Sequence, residues 1–559
     1  MKNKLLTKVL AVIATLVMSI SAVGCGGTQT PAGCLDVFIM EAGYGYEWCE
    51  VLMQEFAKQD WVKAKYPDLT LNFQHNDNKT YVETKLKAGA KNNNFDLLLG
   101  EVTQTYLEKY PGEYLYELTD SVYNQTIPGE NVTYEEKCYD SYNQSNQYPG
   151  LTTDEGDPRY FIASWAGGMN GIFYNKEHLD ALGFEVPRTT DELIEICEQV
   201  MALRDNKQGK YSKGFSFIQS KGLGYLQYLF PVWWAQYQTV ESYYDFYRGI
   251  DDGMSGSKNI FNQEGRLHSL QVYEDLFFYH YDENTKKSNA YLTPSSNTYD
   301  FMTAQSLFLK GEGIFHVNGD WFENEMSEMR QDIIADGDKV YDIRLMRTPI
   351  ISALGDNFGI TDEDLRLIVD YVDGVTKTKP NITNFDTESY DSLDEIIEEV
   401  RVARGVVNAS GPFHTAVIPT YAREKDIAAD FLVFMASDVA QEIYIRETGG
   451  SSLPFEYNVK EKAPDVYNSL SPMHKARQDY FNDANIDIQV LPNKASFPLV
   501  QYGGVNEFIL GSYYSVFSSS DNVDQYGNKI KTARSIYEDT KENWNDKKWT
   551  DALDKAGLR

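Results

Sequence analysis

The residue types that nucleophilic, metal or phosphate chemistry needs are present in this chain without the spacing that would make them act together. No GxSxG sets a serine on a tight strand-to-helix turn, and Gly449-Gly450-Ser451-Ser452 has the wrong spacing. The seven histidines include no HExxH, so no helix offers the paired ligands of a zinc hydrolase. Neither GxxxxGK nor GxGxxG occurs; the nearest cluster, Gly311-Glu312-Gly313, reaches His316 where a third glycine should stand. No EF-hand loop and no CxxC can be aligned. The 83 acidic residues supply endless carboxylate pairs, and only a separation in space would mark two of them as a glycosidase pair. What the chain has in excess is rings: 28 Phe, 40 Tyr and 8 Trp. Such rings, with carboxylates and amides beside them, suit a ligand with an apolar CH face and a hydroxyl rim, which describes a pyranose.

Length and composition set the frame for those rings. A chain of 559 residues with 42% hydrophobic and 24% charged residues is a folded protein of two to four domains. A formal charge of -32 repels phosphate backbones and anionic surfaces, which argues against nucleic acid as a partner. The amino terminus has a secretory layout: Lys2, Lys4 and Lys8, an apolar run from Val9 to Ile20, then Ser21, Ala22 and Gly24 before Cys25. The run is short for a membrane span, and Gly26, Gly27, Thr28 and Pro31 read as a tether. Ala22-Val23-Gly24-Cys25 resembles the lipobox of bacterial lipoproteins, with Ala where Leu is usual, and this implies a lipid on Cys25 and an outer-face location. Loss of residues 1–24 removes three lysines and leaves the body more acidic still. Four cysteines remain; Cys49 and Cys197 lie on apolar helical stripes and read as buried thiols, with a Cys34 to Cys49 bridge as the alternative.

The elements expected from periodicity begin with a βαβαβ unit. Leu35 to Met40 is a strand, Tyr46 to Gln59 a helix, and Leu69, Leu71 and Phe73 alternate; a helix near Tyr81 to Lys91 then leads to a strand from Phe95 to Leu99. In such parallel sheets ligands approach the carboxyl ends of the strands, which carry Glu41, Tyr44 and Tyr46, then His75 and Asn76, then Glu101. Asp120 to Pro158 reads as loop or a covering excursion, and Thr189 with Glu192 as a capping box. Asp362 to Val375 and Asp391 to Arg404 read as acidic helices, Ala428 to Arg446 as one helix ended by Gly449-Gly450, and the tail with Trp544 and Trp549 as helical.

Three segments, in order, resemble the family 1 extracellular solute-binding proteins of the maltose-binding type. They are Gly171-Ile172-Phe173-Tyr174-Asn175-Lys176 with Leu182-Gly183, Pro187, Thr189 and Asp191-Glu192-Leu193; Phe308 to Gly313 running to Asn318-Gly319-Asp320-Trp321; and Ala422 to Lys425 with Ala428 to Leu432, leading to Leu453-Pro454. The resemblance implies an α/β, two-lobed periplasmic-binding-protein-like fold of type II that closes on ligand about a hinge. It implies passages near Trp165, Gly411 and Phe455, with lobes of 35–164 plus 411–455 and 165–410 plus 456–559 after a signal peptide 1–24 and a tether 25–34. Residues 242–300 and 352–405 read as insertions.

The function implied is non-catalytic: capture of a carbohydrate, with an oligosaccharide expected, and delivery to the permease of an ABC importer by a lipid-anchored monomer. No metal or cofactor is implied. The same fold also serves polyamines, peptides or anions, and a secreted glycan hydrolase is the alternative from another class. Trp321 matches the position at which an indole stacks on sugar. Trp165 and Asn170 fall on the strand that lines the cleft, and Glu41, Tyr44, Tyr46 and Glu101 follow the first-lobe strands. Tyr225 and Tyr502 are further candidates. Trp233 and Trp234, about 100° apart on a helix, cannot both face one ligand.

Overall fold

A computed structural model describes residues 32–101, 111–152, 158–205, 215–277, 298–409, 414–491, 497–508 and 531–559, with 281, 282, 287, 288, 291, 296 and 494 between them. The signal segment, Cys25, most of the tether and Gly411 lie outside these residues.

The strand Cys34–Met40 is buried along its whole length. Leu35, Val37 and Ile39 enter one apolar cluster and Phe38 and Met40 another, as expected of a central strand covered on both faces. It pairs in parallel with Thr70–Asn76 on one side and Leu97–Gly100 on the other. Thr415–Val417 and Ala163–Ser164 complete this five-stranded sheet in antiparallel fashion. The helix Glu47–Lys58 covers one face through Cys49, Leu52, Met53 and Phe56. The four described cysteines, Cys34 and Cys49 included, are buried free thiols, so no bridge joins those two.

A second sheet has the order Gln489–Val490, Val406–Ala409, Met169–Asn175, Gly313–Gly319, Phe215–Phe217, with Ile343–Leu345 also on Met169–Asn175. The chain thus leaves the first sheet after Ser164 and enters the second at Met169, and it returns between Ala409 and Thr415. Beyond Phe455 it does not turn at once to the second body. Tyr457, Val459, Val466 and Leu470 pack on Ile445 of the helix Asp438–Glu447, and the helix Pro472–Phe481 is the element that reaches Ile343–Leu345.

Three expectations are corrected. The stretch 120–158 holds a turn of π-helix at Thr119–Tyr123, the helices Tyr134–Lys137 and Asp140–Asn146, and paired strands, because Tyr123, Tyr134, Tyr142 and Tyr160 are driven inward and fully buried. The helix expected over Ala428 to Arg446 is two, Lys425–Met435 and Asp438–Glu447; Ser437 adopts extended backbone and its hydroxyl accepts from the Ala440 N–H, starting a new helix. Thr189 does accept from the Glu192 N–H, but the Glu192 carboxylate turns to the Arg188 N–H, so only half of a capping box forms.

The region 242–277 is tied to the carboxyl-terminal helices Ala533–Asn543 and Asp546–Ala556. Phe261 stacks on Trp544 at 5.4 Å, and the Trp549 indole N–H donates to the Gly256 carbonyl at 2.7 Å. Arg266, fully buried, donates to the carbonyls of Glu507, Phe261 and Tyr537, and burial pulls its pKa down to about 10.

Candidate ligand cleft

The carboxyl ends of the first sheet meet the end of Gly313–Gly319, and the meeting place is aromatic. Trp321, half-buried, follows that strand and opens the short helix Phe322–Glu325. Its ring lies against two glycines, one from each body: a Cβ on Gly43 would stand 2.4 Å from Trp321 Cδ1, and one on Gly319 would stand 2.0 Å from Cζ3. Asn324 donates to the Gly43 carbonyl at 2.7 Å, holding the loop after the first strand over the indole. Tyr44, Tyr225 and Tyr228 meet Trp321 edge-on at 5.8, 6.3 and 6.5 Å. Tyr225 and Tyr228 belong to the 3-10 helix Lys221–Tyr228, whose three residues per turn put positions three apart on one side, and the two rings stack at 5.7 Å.

Carboxylates flank the rings. Glu325 accepts from the Gln305 amide at 2.9 Å, and burial raises its pKa. Burial, then the nearby Glu325 charge, pushes the Tyr225 phenol up to about 12. The Tyr228 phenol is raised by burial first and then by Tyr225, Glu101 and Glu325, so a carboxylate from each body acts on one hydroxyl. Glu101 also lies 3.5 Å from Lys79. Further along the first-sheet edge, Tyr46 stacks on His75 with centroids 3.6 Å apart, and Glu41 pairs with that same imidazole. Glu41, Tyr46 and Glu101 are each part-exposed.

Other sequence candidates lie deeper. Trp165 is fully buried at the first passage, stacked on Trp48 at 5.5 Å and edge-on to Tyr44 and His414 at 6.2 and 4.8 Å. Asn170 is 2% exposed and donates to Asn408 across the strands Met169–Asn175 and Val406–Ala409. Both therefore pack the hinge instead of lining open space. Trp233 and Trp234 are corrected to core: each is fully buried, with its indole N–H satisfied by Pro349 O at 3.2 Å and Gln263 Oε1 at 3.0 Å respectively. Hydrophobic contacts with Phe230, Tyr243 and Phe246 hold Trp234 there. Tyr502 is likewise displaced to the helical body, ending the helix Pro498–Gln501 beside the carboxyl-terminal helix.

Sequence reasoning missed Tyr228, Gln305, Asn324 and Glu325. Tyr228 carried a readable signal, its spacing of three from Tyr225. The others had none, since the contacts that place them, such as Asn324 with Gly43, span far-separated parts of the chain. Among the described residues no group of three or more His, Cys, Asp or Glu side chains is arranged to hold a metal ion, and no helix is long and apolar enough to cross a membrane.

Two α/β bodies joined by a multiply crossed hinge, with rings and carboxylates between them, define the two-lobed type II periplasmic-binding-protein class. Residues 50–353, more than half of the chain, match the family described as bacterial extracellular solute-binding protein, and the chain belongs to that family. No curated protein matches the sequence. The fold is similar to that of RafE from Streptococcus pneumoniae in its apo form, with a TM-score of 0.53 at 12% identity over 93% of this chain and 100% of that one. RafE in complex with raffinose aligns with a TM-score of 0.50 at 13% identity, over 91% and 99%. A protein from work on xylan utilization by Caldanaerobius polysaccharolyticus aligns at 0.51 and 14% identity, over 92% and 100%. The family acts outside the cytoplasm and binds solutes.

Proposed function

We propose that this protein captures a carbohydrate, specifically an oligosaccharide, by closing its two lobes on it, and delivers it to the permease of an ABC importer while held to the outer face of the membrane by a lipid on Cys25. The observation that carries the reading is the Trp321 cluster: an indole edged by Tyr44, Tyr225 and Tyr228, with Glu101 and Glu325 acting from opposite lobes. The part-exposed rings of Trp321, Tyr225 and Tyr228 accept the CH face of a pyranose, and the carboxylates with Asn324 accept or orient its hydroxyls, while the buried Tyr44 and Gln305 support them from behind. The edge formed by Glu41, Tyr46 and His75 extends the polar and aromatic lining, which suits more than one sugar unit. In this reading the lobes comprise 35–164 with 411–455 and 165–410 with the carboxyl-terminal residues, the third passage being drawn between Phe455 and Pro472, where the packing changes sides. The names printed for RafE with raffinose and for the xylan-utilization protein support a sugar ligand by analogy of fold.

The experiment is a thermal-shift and calorimetric screen of mono- and oligosaccharides, with spermidine and a peptide mixture as the non-sugar arms. A ligand at 100 times its dissociation constant stabilises the folded state by about 2.7 kcal/mol. A shift with an oligosaccharide and no product release supports the reading. A shift with spermidine alone, or turnover of a glycan, overturns it.

A further inference from the structure

Beneath the Trp321 cluster lies a polar assembly that solute contacts do not explain. Asp320 is fully buried, Tyr44 is 2% exposed and Arg477 is 2% exposed. The Tyr44 hydroxyl donates to Asp320 Oδ1 at 3.1 Å, and it is a first-lobe group reaching a second-lobe carboxylate. Arg477 Nε stands 3.4 Å from Asp320 Oδ2. The same guanidinium donates to the Gly167 carbonyl of the first passage at 2.5 Å and to Ser452 Oγ, just ahead of Phe455, at 2.7 Å. His474, one turn earlier on the helix Pro472–Phe481, bonds the Asp320 carbonyl at 3.0 Å through Nε2, and the Asp320 N–H donates to Met169 O at 2.9 Å. Asp320 is thus fixed from the hinge side by main chain, helix and cation together, and Trp321 is the next residue.

We propose that Tyr44 and Asp320 form a latch that biases the two lobes toward closure before ligand arrives. The proposal rests on the solute-binding reading for its purpose, but not for its geometry. A buried carboxylate beside one cation needs further donors, and the Tyr44 hydroxyl supplies one from the opposite lobe. Lobe opening would expose Asp320 to water, which replaces that donor; a closed lobe without the hydroxyl leaves the charge short of one. The hydroxyl therefore biases the equilibrium toward the closed side. Asn324 bonding the Gly43 carbonyl adds to the same bias from the neighbouring residue pair.

The test compares purified wild-type protein with Tyr44→Phe, which keeps the ring packing and removes the hydroxyl alone, and with Asn324→Ala. The readouts are radius of gyration by small-angle X-ray scattering without ligand, melting temperature, and affinity for whichever oligosaccharide the screen selects. Expected are a larger ligand-free radius for Tyr44→Phe, a smaller increase for Asn324→Ala, and about tenfold weaker binding by Tyr44→Phe, the loss of one hydrogen bond to a charged group. Equal ligand-free radii in all three proteins overturn the latch, and so does a drop in melting temperature with an unchanged radius, which would make the bond merely structural. If no sugar binds, the functional reading fails while the ligand-free radii still decide the latch.

Discussion

Gly43 gives the sharpest mutational test of how the two lobes meet. Its φ is not among the positive ones, so its backbone does not require glycine, and alanine there would ordinarily gain about 0.4–1 kcal/mol by restricting the unfolded chain. Only Trp321 objects: an added Cβ would stand 2.4 Å from Cδ1, 2.6 Å from Cγ and 2.9 Å from the tryptophan Cβ. The last atom sits at the root of the side chain, so a rotamer change alone cannot clear the clash, and either the indole or the whole lobe must retreat. Overpacking of this kind costs about 1–3 kcal/mol. Charged against the closed state alone, it weakens ligand binding roughly 5- to 150-fold. Isothermal titration of Gly43→Ala should show that loss, with a melting temperature equal to or slightly above that of the wild type. Trp321→Ala in the Gly43→Ala background should add less than its own single effect, because the clash is gone. Unchanged affinity in Gly43→Ala, or strict additivity in the double variant, would refute the claim that these residues meet in the bound state.

Two stability predictions concern the second lobe. Asp373, 10% exposed, receives paired bonds from Arg404 at 2.8 and 3.0 Å and one from Arg347 at 3.0 Å, and Arg347 continues to Asp483 at 2.7 Å. Burial alone would raise its pKa, but the two guanidinium groups outweigh burial and hold it below the usual carboxylate range. Asp373→Asn should therefore cost about 3–5 kcal/mol in denaturant unfolding, and a cost under 1 kcal/mol would show that the network is dispensable. His316 is fully buried, and its pKa is depressed to about 4 by burial. A depressed value means stability that is present above the ordinary 6.5 and lost as pH falls from there toward 4, worth roughly 3 kcal/mol in total. Melting temperature should fall over that window and His316→Phe should flatten the slope; an equal slope in both proteins contradicts the assignment.

The parts of this molecule that could be read from the chain are those fixed by local periodicity. The strand at Leu35 to Met40, the Cys49, Leu52, Met53, Phe56 stripe and the helical tail each follow from the alternation or spacing of apolar residues nearby. The helix break at Ser437 was hidden because the apolar stripe runs through it, while the cap that causes it is one hydroxyl bond. The tyrosines of the 120–158 segment looked polar enough for a loop, and only tertiary packing draws Tyr123, Tyr134 and Tyr142 inward. At the cleft, Trp321 and Tyr44 could be singled out because each closely follows a strand end, and the structure brings both rings together with Tyr225. Sequence misjudged Trp233 and Trp234, since an indole with its N–H satisfied inside the core has the same sequence as one facing solvent.

Whether Trp321 and its neighbours grip a sugar between two closing lobes is decided by tryptophan fluorescence and calorimetry of wild-type and Trp321→Ala protein titrated with the oligosaccharide selected in the screen. Expected are saturable binding with an emission change in the wild type, and binding weakened about tenfold in Trp321→Ala at an unchanged circular-dichroism spectrum, consistent with loss of one aromatic platform. Equal affinity in the two proteins, or no response of the wild type to any sugar, would contradict that grip.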